Sequence, residues 1–439
     1  MTETNRASWG SKLGIMLAAA GSAVGLGNIW RFPFCTAQNG GGTFLLIYIV
    51  CSFVIGMMLV FAESALGMKT QSDPTGAFGK IHPRLKFIGL LCILTSVTIL
   101  AYYNVVGGWI LHYMLNVFSI SPDNDFAKEF ADFSSSPVRP LIYFYIYLLV
   151  SAAIIYFGIK NGIEKFSKIM MPLLLILLLI LMGRVLMFDK ALEGLKFFFT
   201  PDFSKMSGAT LLDGMGHVFF SVSVGMGVFI TYGSYVKNTD TTTVPHLMWS
   251  VVVLDILVSL LAGMTIFPAV FSFDIPVDSG PSLIFITLPR IFASIPFGQF
   301  FAFIFFLILL AAAATSSISI MEVTITFLCD RMNMARSKAV ILFTAFCGVA
   351  GTLVSLSMGK LSGFKIAGKI LFDQLDFLAS NILLPVGGFL TCIAVGWIWG
   401  TDKLVVFKSA FWQKCFSLCI KWIAPVSILL ILLKGLDLI

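Results

Sequence analysis

Long stretches of uncharged, apolar residues recur along this chain, and they constrain its fold more than any other feature. The run 170–182, for example, has no charged residue and no alternation of polar and apolar positions. A membrane-spanning helix needs about 20 mostly apolar residues, whereas membrane barrels are built from segments of alternating polarity. Because 58% of the residues are hydrophobic and only 12% are charged, the sequence predicts an all-α polytopic membrane protein rather than a soluble or nucleic-acid-binding one.

Hydropathy predicts eleven membrane spans in a single transmembrane domain, 1–439. The predicted spans are 12–35, 42–68, 87–118, 139–157, 166–188, 211–236, 243–271, 297–328, 337–357, 370–399 and 409–434. The three long loops between them are rich in acidic residues, and most Lys and Arg lie in the alternate loops. Since cytoplasmic loops carry the excess of basic residues, the N-terminus is predicted to be cytoplasmic and the C-terminus outside. Lys360, Lys365 and Lys369 are an exception, because they fall in a predicted outer loop.

Closely spaced glycines interrupt two of the predicted spans. Gly25 and Gly27 lie in the middle of span 1, and Gly225 and Gly227 lie in the middle of span 6. Each glycine weakens a helix by about 1 kcal/mol, and irregular backbone at membrane depth is tolerated only where it lines a cavity or is buried in protein. Close helix packing through small residues is the alternative explanation for either interruption alone.

The spacing of the two interruptions predicts an internal repeat. Span 6 follows span 1 after five spans and therefore crosses the membrane in the opposite direction, as in transporters built from inverted repeats around a central site. We predict a 5+5 inverted repeat of 12–188 and 211–399, with broken helices 1 and 6 and with span 11, 409–434, outside the repeats.

The residues around both interruptions resemble those of the neurotransmitter:sodium symporter family. The sequence Gly21-Ser-Ala-Val-Gly-Leu-Gly-Asn-Ile-Trp-Arg-Phe-Pro33, followed by Asn39-Gly-Gly-Gly42, is similar to the family signature. Further matching stretches are 101–103, 219–227, 231–235 and 315–317. The similarity is closest to bacterial amino-acid transporters with eleven spans. It implies symport of an amino acid with sodium by alternating access.

The resemblance implies two bound sodium ions and no organic cofactor. The first ion would contact the substrate carboxylate and the residues Ala23, Asn28, Ser221 and Asp255. The second ion would contact Gly21, Val24, Ala312, Thr315 and Ser316. Carbonyl groups of unwound helices and nearby hydroxyl groups supply such ligands in transporters of this kind.

Asp255 departs from the family, since many members have Asn at this position. A charged residue in the middle of a span is costly and is usually functional. Its carboxylate would supply the negative charge that chloride-dependent relatives take from the anion, beside a serine that matches Ser259, so we predict chloride-independent transport. The alternative is a protonated Asp255 that caps a helix. Glu63, which also lies within a span, is expected to brace the broken helices, and Glu322 is expected to be a buried bracing group or a part of the inner gate.

Gly25 stands where relatives that carry monoamines have Asp, so the substrate is expected to bring its own carboxylate. The resemblance assigns substrate contacts to Ser22, Ala23, Leu26, Gly27, Ile99, Tyr103, Phe220, Ser221, Ser223, Met226, Ser316 and Ile320, with Phe220 as the lid of the pocket. Helix N-terminal amides, such as those of Leu26 and Gly27, favour an anion. Because Met226 replaces a larger Phe of some relatives, we predict a hydrophobic or aromatic L-amino acid, with tyrosine or tryptophan favoured.

Two pairs of charged residues are predicted to act as gates. Arg31 with Asp376 resembles the outer gate of the family, and Arg6 with Asp330 resembles the inner one, with Trp9 beside it. Taken singly, a charge near a helix end is more often a residue that reaches to the membrane surface.

The predicted function is therefore sodium-coupled amino-acid import across a bacterial inner membrane. The predicted partners are the amino acid and membrane lipid, with no nucleic acid, and the sequence does not predict an oligomeric state. A proton-coupled amino-acid transporter is the alternative, and an ion channel is less favoured because no filter motif is present. No enzyme is predicted, because the sequence has no GxSxG, HExxH or Walker motif.

Overall fold

The computed structural model describes residues 7–237, 240, 242–274, 282–404 and 409–438. These residues form helices and one short β-hairpin. Along the chain the helices are α1 (Lys12–Ala23), α2 (Gly27–Gln38), α3 (Gly42–Thr70), α4 (Pro74–Ile81), α5 (Pro83–Ser119), α6 (Phe126–Ser135), α7 (Arg139–Tyr156), α8 (Ile159–Val185), α9 (Ala191–Phe199), α10 (Gly208–Ser221), α11 (Val228–Gly233), α12 (Thr243–Ser272), α13 (Leu283–Ala293), α14 (Gly298–Arg331), α15 (Arg336–Leu356), α16 (Leu371–Leu404) and α17 (Ala410–Gly435). The hairpin pairs β1 (Lys365–Ile366) with β2 (Lys369–Ile370) in antiparallel orientation.

The helices confirm an all-α polytopic membrane protein. Within the described ranges, nine helices are long and apolar enough to cross a membrane, and α1 with α2, bent by 48°, makes a tenth. Each predicted span overlaps one of these helices or the bent pair, except span 6. That span corresponds to α10 and α11, which are separated by an unwound segment and are each too short to cross a membrane alone. The predicted count of eleven is reached when α10 and α11 are taken as one broken span.

The break between α1 and α2 begins at Val24. Its backbone turns to an extended conformation (φ −71°, ψ 104°) while its N–H still donates to the Ala20 carbonyl at 2.7 Å. The next N–H, that of Gly25, donates to Oδ1 of Asn28 at 3.0 Å. The Asn28 side chain thus replaces the helical acceptor that the break removes. A backbone N–H that is buried in a membrane protein needs such a partner.

The break between α10 and α11 depends on residues in the left-handed region. Ser223, Gly225 and Gly227 have φ values of 56°, 90° and 80°, and glycine adopts such values without strain. The Gly225 N–H donates to Oε1 of the fully buried Glu63 at 2.8 Å, so Glu63 braces the break as expected. The Met226 carbonyl accepts a hydrogen bond from the Ser96 hydroxyl at 2.8 Å. Side chains from α3 and α5 therefore replace the missing helical partners.

The broken helices lie inside the bundle. The inner helices α3 and α14 bury 72% of their most apolar window, whereas α7 and α8 bury 39% and 28% and leave large apolar side chains on the surface. In a bilayer, lipid covers such a surface. The helix α1 packs against α8, α12 and α14, and α11 packs against α3.

Helices from two of the three long loops, α6 and α13, pack against each other. Phe130 of α6 stacks on Phe285 of α13 with a centroid distance of 5.2 Å. Lys190, just before α9, forms a 2.7 Å ion pair with Asp274 in the loop that leads to α13.

The last helix, α17, packs on α16 and α10. Near its end, Nζ of Lys434 contacts Oδ1 of Asp213 at 2.7 Å and the Ala209 carbonyl at 3.1 Å. The first turn of α10 is thereby tied to a helix outside the two predicted repeats.

Candidate functional site

A fully buried carboxylate, Asp255 of α12, collects three hydrogen bonds beside the broken helices. Its Oδ1 accepts from the Ser221 hydroxyl at 2.6 Å and from Nδ2 of Asn28 at 2.7 Å. Its Oδ2 accepts from the Tyr48 hydroxyl at 2.6 Å. The predicted first sodium ligands Asn28, Ser221 and Asp255 are therefore brought together, at the point where α2, α3, α10 and α12 meet.

One further hydroxyl group completes this cluster. Ser259, one helical turn after Asp255, lies 3.0 Å from the Tyr48 hydroxyl and 2.9 Å from Nδ2 of Asn28. The Asn28 side chain thus turns its nitrogen toward the cluster and its oxygen toward Gly25. Since the oxygen is the predicted sodium ligand, a rotation of this amide would have to accompany cation binding. Tyr48 was not among the predicted site residues; a tyrosine inside an apolar span was the available signal.

The predicted ligands of the second sodium ion also lie together, between the end of α1 and the middle of α14. The Ser316 hydroxyl lies 3.3 Å from the Gly21 carbonyl and 3.4 Å from the Val24 carbonyl. The Thr315 hydroxyl donates to the Ala312 carbonyl at 3.0 Å. A Cβ on Gly21 would lie 3.0 Å from Cβ of Thr315, so the glycine permits the close approach of the two helices. The group offers hard oxygen ligands, the kind that sodium prefers in such sites.

Gly25, in the first break, lies close to hydroxyl groups of two other helices. A Cβ on this residue would lie 2.9 Å from the Ser316 hydroxyl and 3.4 Å from the Tyr103 hydroxyl. The Tyr103 hydroxyl also interacts with the backbone of Leu26. A side chain at position 25 would therefore crowd the hydroxyl groups of Ser316 and Tyr103.

Two other predicted substrate contacts link the breaks to each other. The Ser223 hydroxyl donates to the Ser22 carbonyl at 2.9 Å, which joins the two breaks directly. Three apolar residues among the predicted substrate contacts are each 4% exposed, namely Ile99, Met226 and Ile320. Phe220, the predicted lid, is partly exposed, and its ring lies 3.4 Å from the place of a Cβ on Gly27.

The predicted outer gate is not joined by an ion pair. The Arg31 guanidinium lies over the Phe220 ring, 4.7 Å from its centroid. Asp376 accepts a 3.3 Å hydrogen bond from the Ser380 hydroxyl instead. Closure by Arg31 and Asp376 therefore stays a prediction, and the contact of Arg31 with the lid is a partner that sequence reasoning missed.

At the opposite end, Arg6 lies outside the described residues, and its predicted partner Asp330 accepts the Asp73 N–H at 3.0 Å. Trp9 packs beside this end as predicted. Its ring nitrogen donates to the Tyr232 carbonyl at 3.1 Å, and its ring meets the Tyr232 ring at 5.1 Å.

Glu322 is buried as predicted, and it has a partner that the sequence did not reveal. Its carboxylate forms an ion pair with Arg336 at 2.6 Å and accepts from the Tyr235 hydroxyl at 2.7 Å. The pair joins α14 to α15 and to the segment after α11.

Comparison with known proteins gives matches along nearly the whole chain. The model of the Sodium:neurotransmitter symporter family matches residues 6–129 and 138–438. YhdH of Bacillus subtilis (strain 168), described as an uncharacterized sodium-dependent transporter, is 33% identical over 447 residues, which cover 99% of this chain and 98% of that protein. An uncharacterized sodium-dependent transporter of Methanocaldococcus jannaschii is 33% identical over 429 residues, which cover 92% of this chain and 84% of that protein.

A solved structure is similar over the same extent. The structure of MhsT in complex with L-phenylalanine superposes with a TM-score of 0.89 and 38% identity, and the match covers 98% of this chain and 100% of that one. The residues that the family model matches include both broken helices and the buried polar cluster around Asp255.

Proposed function

The chain belongs to the sodium:neurotransmitter symporter family, a family of membrane transporters rather than enzymes, and from this premise we propose that it imports hydrophobic or aromatic L-amino acids together with sodium by alternating access. The observation that carries the proposal is the pair of unwound segments joined by the Ser223–Ser22 hydrogen bond, with oxygen groups on both sides of Gly25.

Two sodium ions are the proposed driving ions. The first would lie among Ala23, Asn28, Ser221 and Asp255, and the second between α1 and α14. Sodium is transported with the substrate, so both sites must bind the ion reversibly and release it on the other side. Neutral carbonyl and hydroxyl groups meet this requirement. The single carboxylate, that of Asp255, adds negative charge to the buried first site.

An α-amino acid fits the charges around Gly25. Its carboxylate would face the first sodium ion, the amides of Leu26 and Gly27 and the Tyr103 hydroxyl. Its ammonium would face carbonyl groups of the two breaks. The side chain would meet Ile99, Met226 and Ile320, which argues for an apolar substrate. The bound L-phenylalanine of MhsT supports this class, and tyrosine and tryptophan are our first candidates.

Chloride independence follows from the charge of Asp255. Its carboxylate lies among the hydroxyl groups of Tyr48, Ser221 and Ser259. An anion bound at this place would otherwise balance the charge of the sodium ion. An added chloride ion there would face a like charge, which disfavours its binding.

The proposed topology places the chain in a bacterial inner membrane with its N-terminus in the cytoplasm and its C-terminus outside. The predicted inverted repeats, 12–188 and 211–399, would then move against each other around the site, while Arg31 with Asp376 and Arg6 with Asp330 close the outer and inner paths in turn.

Uptake into proteoliposomes tests the proposal. We expect accumulation of labelled tyrosine, tryptophan or phenylalanine under an inward sodium gradient, with no loss when gluconate replaces chloride. Uptake that a proton gradient drives equally well without sodium would favour the proton-coupled alternative. Lack of binding of any hydrophobic amino acid in the presence of sodium would refute the proposed substrate class.

A further inference from the structure

A buried carboxylate from α8 holds the beginning of the first broken helix. Glu164 accepts the Gly10 N–H at 2.6 Å with Oε2 and the Ser11 hydroxyl at 2.8 Å with Oε1. Its side chain is only 3% exposed. Gly10 and Ser11 directly precede α1, so the contact is made at the N-terminal end of that helix.

The local sequence is suited to receive this carboxylate. Ser11 is the N-cap of α1, and its hydroxyl also accepts the Gly14 N–H at 3.0 Å. A carboxylate near the free N–H groups of a helix start is favourable. A Cβ on Gly14 would collide with the carboxyl group of Glu164, so the glycine makes the room. Lys168, one turn further along α8, balances the charge at 2.7 Å.

The other contacts of this helix end go to a different part of the molecule. Trp9 binds the Tyr232 carbonyl, and Nζ of Lys12 contacts the Thr242 hydroxyl at 2.6 Å. The side chain of Lys12 is 61% exposed, and such surface contacts contribute little stability. The Glu164 contact is the buried one, and within the described residues it is the charge-assisted contact that joins this end to α8.

We propose that Glu164 is a positioning residue of the inner gate: its carboxylate latches the start of α1 to α8, and its release accompanies opening toward the cytoplasm. The proposal rests on the transport function proposed above. The helix α1 has 12 residues and is about 18 Å long. It leads directly from the latch to Gly21 and Val24, whose carbonyls are the predicted ligands of the second sodium ion.

The latch and the sodium ion therefore hold the two ends of the same helix. If the latch and the sodium ion both favour the conformation that is closed toward the cytoplasm, each stabilises the binding of the other. By linkage, loss of the latch then lowers the apparent affinity for sodium. A coupling of about 1 kcal/mol corresponds to an effect of about fivefold.

Hydrogen–deuterium exchange of the full-length transporter, with and without sodium, tests the latch. In Glu164→Gln and Ser11→Ala we expect faster exchange of amides 12–23 and a sodium concentration for half-maximal uptake that is about fivefold higher or more. Gly14→Ala should behave in the same way, because its methyl group displaces the carboxylate. This variant is decisive, since alanine by itself strengthens a helix and would slow the exchange.

Gly183→Ala is the matched control, because a Cβ on Gly183 of α8 has no atom within 4 Å; it should leave both readouts unchanged. If the amides of α1 exchange in Glu164→Gln and Gly14→Ala at the wild-type rate, the proposal is overturned. It is also overturned if the exchange of α15 is accelerated as much as that of α1, because this would indicate general destabilisation. Failure of the wild-type protein to transport would refute the proposed function, while the exchange of α1 would still decide whether the latch exists.

Discussion

The hydroxyl of Ser221 donates a 2.6 Å hydrogen bond to the carboxylate of Asp255. Ser221 is the last residue of α10 before the break, and Asp255 lies fully buried in α12. The end of a broken helix is thus held to a continuous one by a charge-assisted bond, which is stronger than a bond between neutral groups. A cation that enters this cluster would have to compete with the bond or share its acceptor.

Replacing Asp255 tests the role of its charge. We expect Asp255→Asn to raise the sodium concentration for half-maximal uptake by about tenfold or more, a factor that corresponds to about 1.4 kcal/mol. Because the variant lacks the fixed negative charge, its residual uptake should increase when chloride replaces gluconate. Glu193→Gln, an exposed residue of α9, should change neither property. Normal sodium dependence in Asp255→Asn would contradict the assignment.

Adding a methyl group at Gly25 should weaken substrate binding. A methyl group there would lie 2.9 Å from the Ser316 hydroxyl, within the space proposed for the substrate carboxylate. We expect Gly25→Ala to lower amino-acid affinity by about tenfold or more, or about 1.4 kcal/mol, as measured by equilibrium binding in sodium. The control is Gly216→Ala, because a Cβ on Gly216 makes only a 3.7 Å contact with Ile431. Equal affinities for the two variants would remove Gly25 from the site.

Loss of Glu63 should destabilise the second break. Glu63→Ala leaves the Gly225 N–H without its acceptor, and an unpaired buried group costs about 1–3 kcal/mol. A lower thermal midpoint in detergent is the expected result, and Glu63→Gln, which keeps an acceptor oxygen, should lose less. If both variants have the same thermal midpoint as the wild-type protein, Glu63 does not brace the break.

The ion pair of Arg336 with Glu322 gives a prediction that depends on burial. Glu322 is fully buried and the Arg336 side chain is 27% exposed. Arg336→Met leaves a buried charge uncompensated, which costs about 3–5 kcal/mol. The double variant Glu322→Met with Arg336→Met should recover much of this loss in thermal stability, since it removes both charges. A double variant no more stable than Arg336→Met would contradict the uncompensated charge as the cause of the loss.

Asp240, outside the spans, gives a prediction for pH. Burial raises the pKa of its carboxyl group, but hydrogen bonds from Thr243 and Thr242 outweigh this and lower the pKa to about 2. Because the folded-state pKa lies below the ordinary value, the contribution to stability is complete above about pH 4 and is lost as the pH falls through about 2. Asp240→Asn should therefore have a lower thermal midpoint than the wild-type protein at pH 6, because its neutral amide accepts these hydrogen bonds more weakly than a carboxylate does. The difference should shrink at pH 2.5, and a constant difference would contradict the cause.

The spans and their breaks could be predicted because both depend on local sequence. Apolar runs mark membrane helices, and Gly225 and Gly227 mark a break because their backbone angles suit glycine. The short loop helices α6 and α9 were missed, since they are too short for hydropathy to distinguish them from loops.

The partners within the site were harder to predict, because they depend on how each helix is rotated in the bundle. Asp255 was recognised as unusual from its charge alone, whereas its donor Tyr48 is an ordinary residue in an apolar span. Glu322 was expected to be buried, but Arg336 could not be assigned to it, since the two residues lie on different helices. Glu164 gave no signal, because its acceptor role becomes visible only when α1 and α8 lie side by side.

Helix α17 is anchored on two sides of the bundle. Its Lys434 forms an ion pair with Asp213 of α10, and its Cys419 thiol donates to the Val54 carbonyl of α3 at 3.0 Å. Because α3 and α10 lie in different predicted repeats, a motion of the repeats against each other would strain one of these two contacts. The helix outside the repeats would then restrain the transport cycle without touching the substrate.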